Sequence, residues 1–186
     1  MELIEYITGE RIYLKKPDIT FAFAEKMFEA VASSRDSIIP WLDWALPEIT
    51  GRAEDNFAFA IEADKAWKKG ERFEYAIYNN IDGDFLGIIG IFKNGNEKNK
   101  ACELGYWLKK QAQGNGYMQE AIKLIENELF SKGIVRIAIK VDVENKKSNE
   151  VAKRAGYTFE GTLVKSRYSM CFQQLRDINL YAKIQK

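Results

Sequence analysis

The run Gln111-Ala112-Gln113-Gly114-Asn115-Gly116 sets two glycines one residue apart. Behind it Met118, Ala121, Ile122, Ile125 and Leu129 recur at helical spacing. Glycines ahead of a helix let the backbone turn without a Cβ in the way. The unsatisfied N–H groups of the first turn, aided by the helix dipole, then make a seat for a pyrophosphate-type anion. Such a cradle would be built without basic side chains. Two glycines also make an ordinary strand-to-helix turn, and that reading stays open at this point. Two familiar phosphate loops do not fit. The dinucleotide fingerprint wants a small residue where Gln119 stands and a chain that opens with parallel β-α-β units, and the P-loop wants a Gly-Lys-Ser/Thr that is absent.

The rest of the composition narrows the chemistry by exclusion. There is no histidine, which removes the commonest general base, the commonest metal ligand and every Ser-His-Asp or Cys-His mechanism. Cys102 and Cys171 stand far apart without ligand-like spacing, so neither a disulfide nor a metal site is expected. Lys plus Arg (28) nearly balance Asp plus Glu (27), which gives no global pull toward nucleic acid or anionic lipid. No apolar run approaches the roughly 20 residues that span a bilayer. Met1-Glu2-Leu3-Ile4-Glu5 is acidic where a signal peptide starts cationic, so a cytoplasmic location is expected.

With 186 residues, 46% of them hydrophobic, the chain has the size of one domain, 1–186. Arg11-Ile12-Tyr13-Leu14 alternates as a first strand ended by Pro17. Asp18 or Thr20 then caps a helix whose apolar stripe reads Phe21, Ala24, Phe28 and Val31. Residues 33–48 read as a long connection with a short helical turn. A second helix carries Ala53, Phe57, Ala60, Ile61 and Trp67 inward and stops at Gly70. Segments 72–79, 85–93 and 101–108 read as three strands, and Asp82-Gly83 and Asn94-Gly95 between them predict an antiparallel meander. A helix from Tyr117 to near Gly133, a strand over 136–143, a short helix over 148–155, and strands near 158–169 and 177–184 complete the chain. The fourth strand, the long helix and the fifth strand form a parallel unit with a right-handed crossover.

The pattern Gln/Arg-x-x-Gly-x-Gly/Ala in this setting resembles the GNAT superfamily of acyl-CoA-dependent N-acetyltransferases. Within it the chain looks like the RimJ/RimL group, named for ribosomal-protein N-terminal acetyltransferases. The likeness is carried by Gly9-Glu10-Arg11-Ile12-Tyr13-Leu14, Trp41-Leu42-Asp43-Trp44, Glu103-Leu104-Gly105-Tyr106-Trp107-Leu108, Asn145-Lys146-Lys147-Ser148, Glu160-Gly161 and Asn179-Leu180-Tyr181-Ala182, and it spans nearly the whole chain. It implies an α/β (α+β) fold: a mixed, mostly antiparallel sheet of six to seven strands, helices on both faces, and acetyl-CoA held by the parallel unit.

The resemblance also assigns roles. The strands ending at Leu108 and near Val143 would splay around the pantetheine arm, with main-chain groups of Tyr106, Trp107 and Leu108 pairing with it as an added strand would. An N–H there would also polarise the thioester carbonyl. Gln113, Gly114, Asn115, Gly116, Tyr117 and Met118 would receive the pyrophosphate. Asn145 would touch pantetheine, and Ser148 would stand near the sulfur as donor to the departing thiolate, although Ser148 is also well placed as a helix N-cap. Glu103 is the candidate general base; a half-buried carboxylate among apolar neighbours is expected to have a raised pKa, and a structural hydrogen-bonding role is its alternative.

On the acceptor side the resemblance points to Trp41, Asp43 and Trp44, with aromatic walls for a peptide end or small amine and a carboxylate for its cation. Packing between helices is the alternative for the indoles. Where the serine-acetylating relatives carry a glutamate, this chain has Arg167, a cation that would bind an acidic substrate unless it is simply exposed. The implied acceptor is a protein N-terminal amine, with a small-molecule amine such as an antibiotic or polyamine as variant. A non-catalytic acyl-CoA-binding module is the rival class. No nucleic-acid or membrane partner is implied, and a homodimer is left open.

Overall fold

The computed structural model describes residues 1–93 and 97–185. In chain order its main elements are β1 (Tyr6–Thr8), β2 (Ile12–Lys15), α1 (Phe21–Ala32), α2 (Arg35–Ile38), α3 (Ala53–Lys69), β3 (Arg72–Asn79), β4 (Phe85–Lys93), β5 (Ala101–Leu108), α4 (Tyr117–Ser131), β6 (Arg136–Asp142), α5 (Lys146–Arg154), β7 (Thr158–Ser169) and β8 (Gln174–Ile184). They form an eight-stranded sheet in the order β1-β2-β3-β4-β5-β6-β8-β7. The expected six to seven strands become eight because Tyr6–Thr8, too short for its alternation to be read, pairs with β2.

The meander β3-β4-β5 is antiparallel as expected. Gly83 has φ +68 at the first turn, while the Asn94-Gly95 turn lies outside the described residues. Among the described residues only β5 and β6 run parallel, and they pair from Ala101 opposite Arg136 to Leu104 opposite Ile139 and no further. Beyond that point residues 105–108 of β5 diverge from the end of β6, which pairs along its whole length with β8 on its other side. A cleft opens in the middle of the sheet.

Alternation along the strands supplies one core on each face. On one side Met118, Ala121, Ile122, Ile125 and Leu129 of α4 and Ala152 of α5 pack with Leu104, Ile137 and Ile139. On the other, α1 packs on Ala76, Tyr78, Phe85, Ile88 and Trp107. Thr20 caps α1 by accepting from the Phe23 N–H at 3.2 Å. The buried stripe of α1 is Phe23, Ala24, Met27, Ala30 and Val31. Phe21, expected inward, is 44% exposed, because the edge contact of Phe23 with Phe85 fixes the rotation of the helix. In α3, Ala60 and Trp67 are buried as expected, whereas Ala53, Phe57 and Ile61 are half-buried and Asn56, Ala63 and Asp64 complete the inner face. Among the described residues no helix is long and apolar enough to cross a membrane.

Candidate active site

The cleft is a cavity of about 490 Å³. Tyr106, Trp107 and Leu108 form one wall, Lys140 to Asp142 the other, Asn145 and Ser148 one end, and the loop from Gln113 to Met118 another. Gly114 and Gly116 carry φ of +82 and +79, the left-handed region that residues with a Cβ rarely adopt. Gly116 is the N-cap of α4 and brings no side chain to its first turn. The N–H groups there have no intrahelical acceptor, which is the anion seat the glycine spacing suggested.

One part of that expectation is corrected: the loop does have a basic side chain against it. Arg11, in the turn between β1 and β2, donates from its backbone N–H and Nε to Glu120 of α4 (2.8 and 3.0 Å) and from Nη1 to the Asn115 carbonyl (2.9 Å). Its guanidinium lies 5.3 Å from the centre of the Tyr117 ring. Partial burial alone would raise the Glu120 carboxyl, but the hydrogen bonds from Arg11 outweigh that and hold it below the ordinary range. Arg11 and Glu120 are 109 residues apart, so no local pattern announces the pair.

Gln113 orders the approach to the loop. Its amide donates to the Leu108 carbonyl (3.1 Å) and to Ser37 (3.3 Å), and its oxygen accepts from Lys147 (3.0 Å). Gly114, Gly116 and Met118 line the cavity, whereas Asn115 and Tyr117 do not. The Asn115 amide turns back to the carbonyls of Gln111 and Gln113, and Tyr117 lies with Arg11. What these two residues offer a ligand is backbone.

Asn145, not Ser148, caps α5: its side chain accepts from the Ser148 N–H at 3.1 Å. The Ser148 hydroxyl is therefore not spent on capping, and it meets the Tyr106 hydroxyl at 3.2 Å across the cleft. Burial pushes the Tyr106 phenol up to about 12, so it stays protonated and able to donate. Asn149, buried one residue on, ties α5 to the sheet by donating to the Asp142 and Asn145 carbonyls and accepting from Asn179 and Tyr181. That network fixes where Ser148 stands.

The remaining expected residues divide. Trp41 and Arg167 line the cavity. Trp44 does not; it packs on Trp107 at 5.6 Å against the buried cluster under α1. Asp43 is also outside the lining, and its carboxylate accepts from the Met170 N–H (3.0 Å), tying this segment to the β7–β8 turn instead of awaiting a ligand. Glu103 stands one step before the divergence, ion-paired with Lys140 at 2.8 Å; Lys140 lines the cavity and Glu103 does not.

A protein-family model described as an acetyltransferase (GNAT) domain matches residues 11–158. The ribosomal-protein-serine acetyltransferase of Escherichia coli is 36% identical over 55% of this chain, a stretch that covers 56% of that enzyme's own length. A putative ribosomal N-acetyltransferase of Bacillus subtilis is 30% identical over 74% of each chain. Among solved structures, a RimL ribosomal-protein α-N-acetyltransferase in complex with coenzyme A superposes with a TM-score of 0.86 at 25% identity, covering 97% of this chain and 98% of that one. The microcin C7 self-immunity acetyltransferase MccE, in complex with acetyl-CoA and AMP, gives 0.85 at 26% identity, covering 95% and 94%. With the glycine loop, the divergent parallel strands and the Asn145-to-Ser148 corner all in place, the chain belongs to the GNAT family of acetyltransferases, enzymes whose acetyl donor is acetyl-CoA.

Proposed function

We propose that the chain transfers acetyl from acetyl-CoA to the N-terminal α-amine of a protein, a ribosomal protein being the acceptor its relatives suggest. The observation that carries this reading is the acceptor end of the cleft. Trp41 there packs on Phe172, and Phe172 and Met170, whose N–H is held by Asp43, are exposed, a surface suited to the peptide that follows an amine. Acetyl-CoA supplies an acetyl group activated as a thioester. The chain's own residues hold and orient it. The loop from Gln113 to Met118 neutralises the pyrophosphate, and the edge of β5 from Tyr106 to Leu108, unpaired beyond Leu104, offers backbone groups to the pantetheine amides.

Ser148 donates a proton toward the thiolate, with the Tyr106 hydroxyl behind it. Replacing Ser148 with alanine is expected to lower kcat about 100-fold with little change in the KM for acetyl-CoA; an unchanged kcat removes Ser148 from the proton path. Glu103, ion-paired with Lys140 of the cavity wall, takes up the amine's proton through solvent in the cleft, since Glu103 itself does not line it. Glu103→Gln is expected to flatten the low-pH limb of the rate, and an unaltered pH profile would rule Glu103 out as the base.

The function itself is tested by thiol release from acetyl-CoA with a panel of N-terminal peptides and small amines. Turnover on peptides with free α-amines supports the reading. Turnover on small amines alone replaces the acceptor class, and tight acetyl-CoA binding without turnover on any amine points to a binding module.

A further inference from the structure

β7 does not run straight past the cleft. Leu163 pairs with Ile178 and Arg167 with Arg176, so residues 164–166 stand against Asp177 alone. Within this bulge Lys165 has φ +49, and its N–H is held by the Asp177 carboxylate at 2.7 Å. A residue with a Cβ occupies that region only where its surroundings enforce it. Extra residues in one strand of a pair re-aim the side chains that follow, and the one that follows here is Arg167.

Arg167 lines the cavity beside Trp41. Its Nη2 donates to the Trp41 carbonyl at 2.8 Å, and its Nε is enclosed with no acceptor. The nearby carboxylate, Asp142, is already engaged by Arg176 through two bonds of 2.9 Å. Of the other basic residues lining the cavity, Lys110 and Lys140 are ion-paired with Asp36 and Glu103, and Lys147 donates to Gln113. Arg154 is exposed at the C-terminal end of α5, where its Nε donates to the Glu150 carbonyl at 3.2 Å. Among the described residues no carboxylate forms a direct ion pair with Arg167, and Asp142, bonded twice to Arg176, feels it only as a more distant charge, although a part-buried guanidinium is stabilised chiefly by a direct carboxylate partner. The fold thus keeps a strained segment just ahead of a planar cation that lines the cavity without a directly bonded carboxylate.

We propose that this cation is completed by the acceptor: Arg167 binds a carboxylate carried close to the amine that is acetylated. Resting on the N-terminal reading above, the source is an acidic side chain in the first few residues of the acceptor protein. A free amino acid offers the same group from its own α-carboxylate.

The test uses peptides alike except for Glu, Gln or Lys at the second and third positions, with β-alanine and its amide as the small-molecule pair. Wild-type protein is expected to take the Glu peptides at least about tenfold better in kcat/KM than the Gln peptides, the effect of a single charge-assisted pair. Arg167→Gln should level the series, and Arg167→Glu should turn the preference toward Lys. Acetyl-CoA affinity serves as the folding control for both variants. Equal rates on Glu and Gln peptides in the wild type, or a Glu preference that survives Arg167→Gln, overturns the inference. If no peptide is taken and β-alanine is preferred over its amide in an Arg167-dependent way, the N-terminal reading falls and carboxylate recognition stands. If the amide does as well, both fall.

Discussion

Replacing Gly116 with valine is expected to weaken acetyl-CoA binding at least about 100-fold while leaving the fold intact. At φ +79 a β-branched residue is strongly disfavoured, so the peptide planes around position 116 would rotate and turn the N–H groups of the cradle away from the pyrophosphate. Crowding is a lesser matter: a Cβ there would sit 3.4 Å from the Arg11 Nη2, an ordinary contact with a flexible group. Gly116 is exposed and outside both core clusters, so the fold should survive, with the backbone strain lowering the Tm by roughly 2–8 °C. Titration calorimetry with acetyl-CoA, alongside circular dichroism, reads both halves of the expectation. Native affinity in a folded variant would mean that this loop does not hold the cofactor. Gly116→Ala, which meets the same φ with less steric demand, should fall between.

The second large effect concerns stability. Glu74 is buried at 6% exposure on β3, and it lies so close over Gly90 that a Cβ there would be 2.5 Å from its Oε2. Burial raises its carboxyl to about 7, with Arg72, 3.3 Å away, offsetting only part of that cost. In the unfolded chain the group ionises near its ordinary 4.5. Above that pH the unfolded state releases a proton that the folded state keeps, so stability declines as pH rises from about 4.5 and levels off above about 7. The shift corresponds to roughly 3 kcal/mol. Glu74→Gln keeps the shape and removes the ionisation, so the variant should match the wild type near pH 4.5 and exceed it at pH 8. For a domain of this size that is a Tm about 6–12 °C higher. Melting curves at the two pH values decide it, and a difference that does not grow with pH would mean that Glu74 is not the group responsible.

How far the sequence reached depended on how local each signal was. The boundaries of β3, β4 and β5 were legible because alternation and turn residues lie side by side, and the glycine loop was legible because two backbone-permissive residues precede a strongly periodic helix. The inward face of α1 was misread because Phe21 and Phe23 are both apolar and only the packing against Phe85 chooses between them. For Ser148 the residue types left a capping and a catalytic role open, and the capping is performed by Asn145, three residues earlier. The resemblance points to Trp44 and Asp43 as acceptor-side residues, with packing as the alternative for the indole, and their engagement by Trp107 and the Met170 N–H depends on contacts between distant segments. The same holds for the Glu103–Lys140 pair, which requires the parallel register, and for the bulge that aims Arg167, which leaves no mark in residue type.

The way β5 and β6 part after Leu104 has a mechanical side. The strands before and after this seam are two slabs joined in the sheet by only four facing pairs, from Ala101 with Arg136 to Leu104 with Ile139. Where the seam lacks rungs, a bound pantetheine arm would serve as the missing ones, and the cofactor would then act as a rivet between the slabs as well as a reagent. Occupancy would then raise the stability of the whole sheet by mass action, and breathing across the seam would be greatest in the interval between release of one coenzyme and capture of the next.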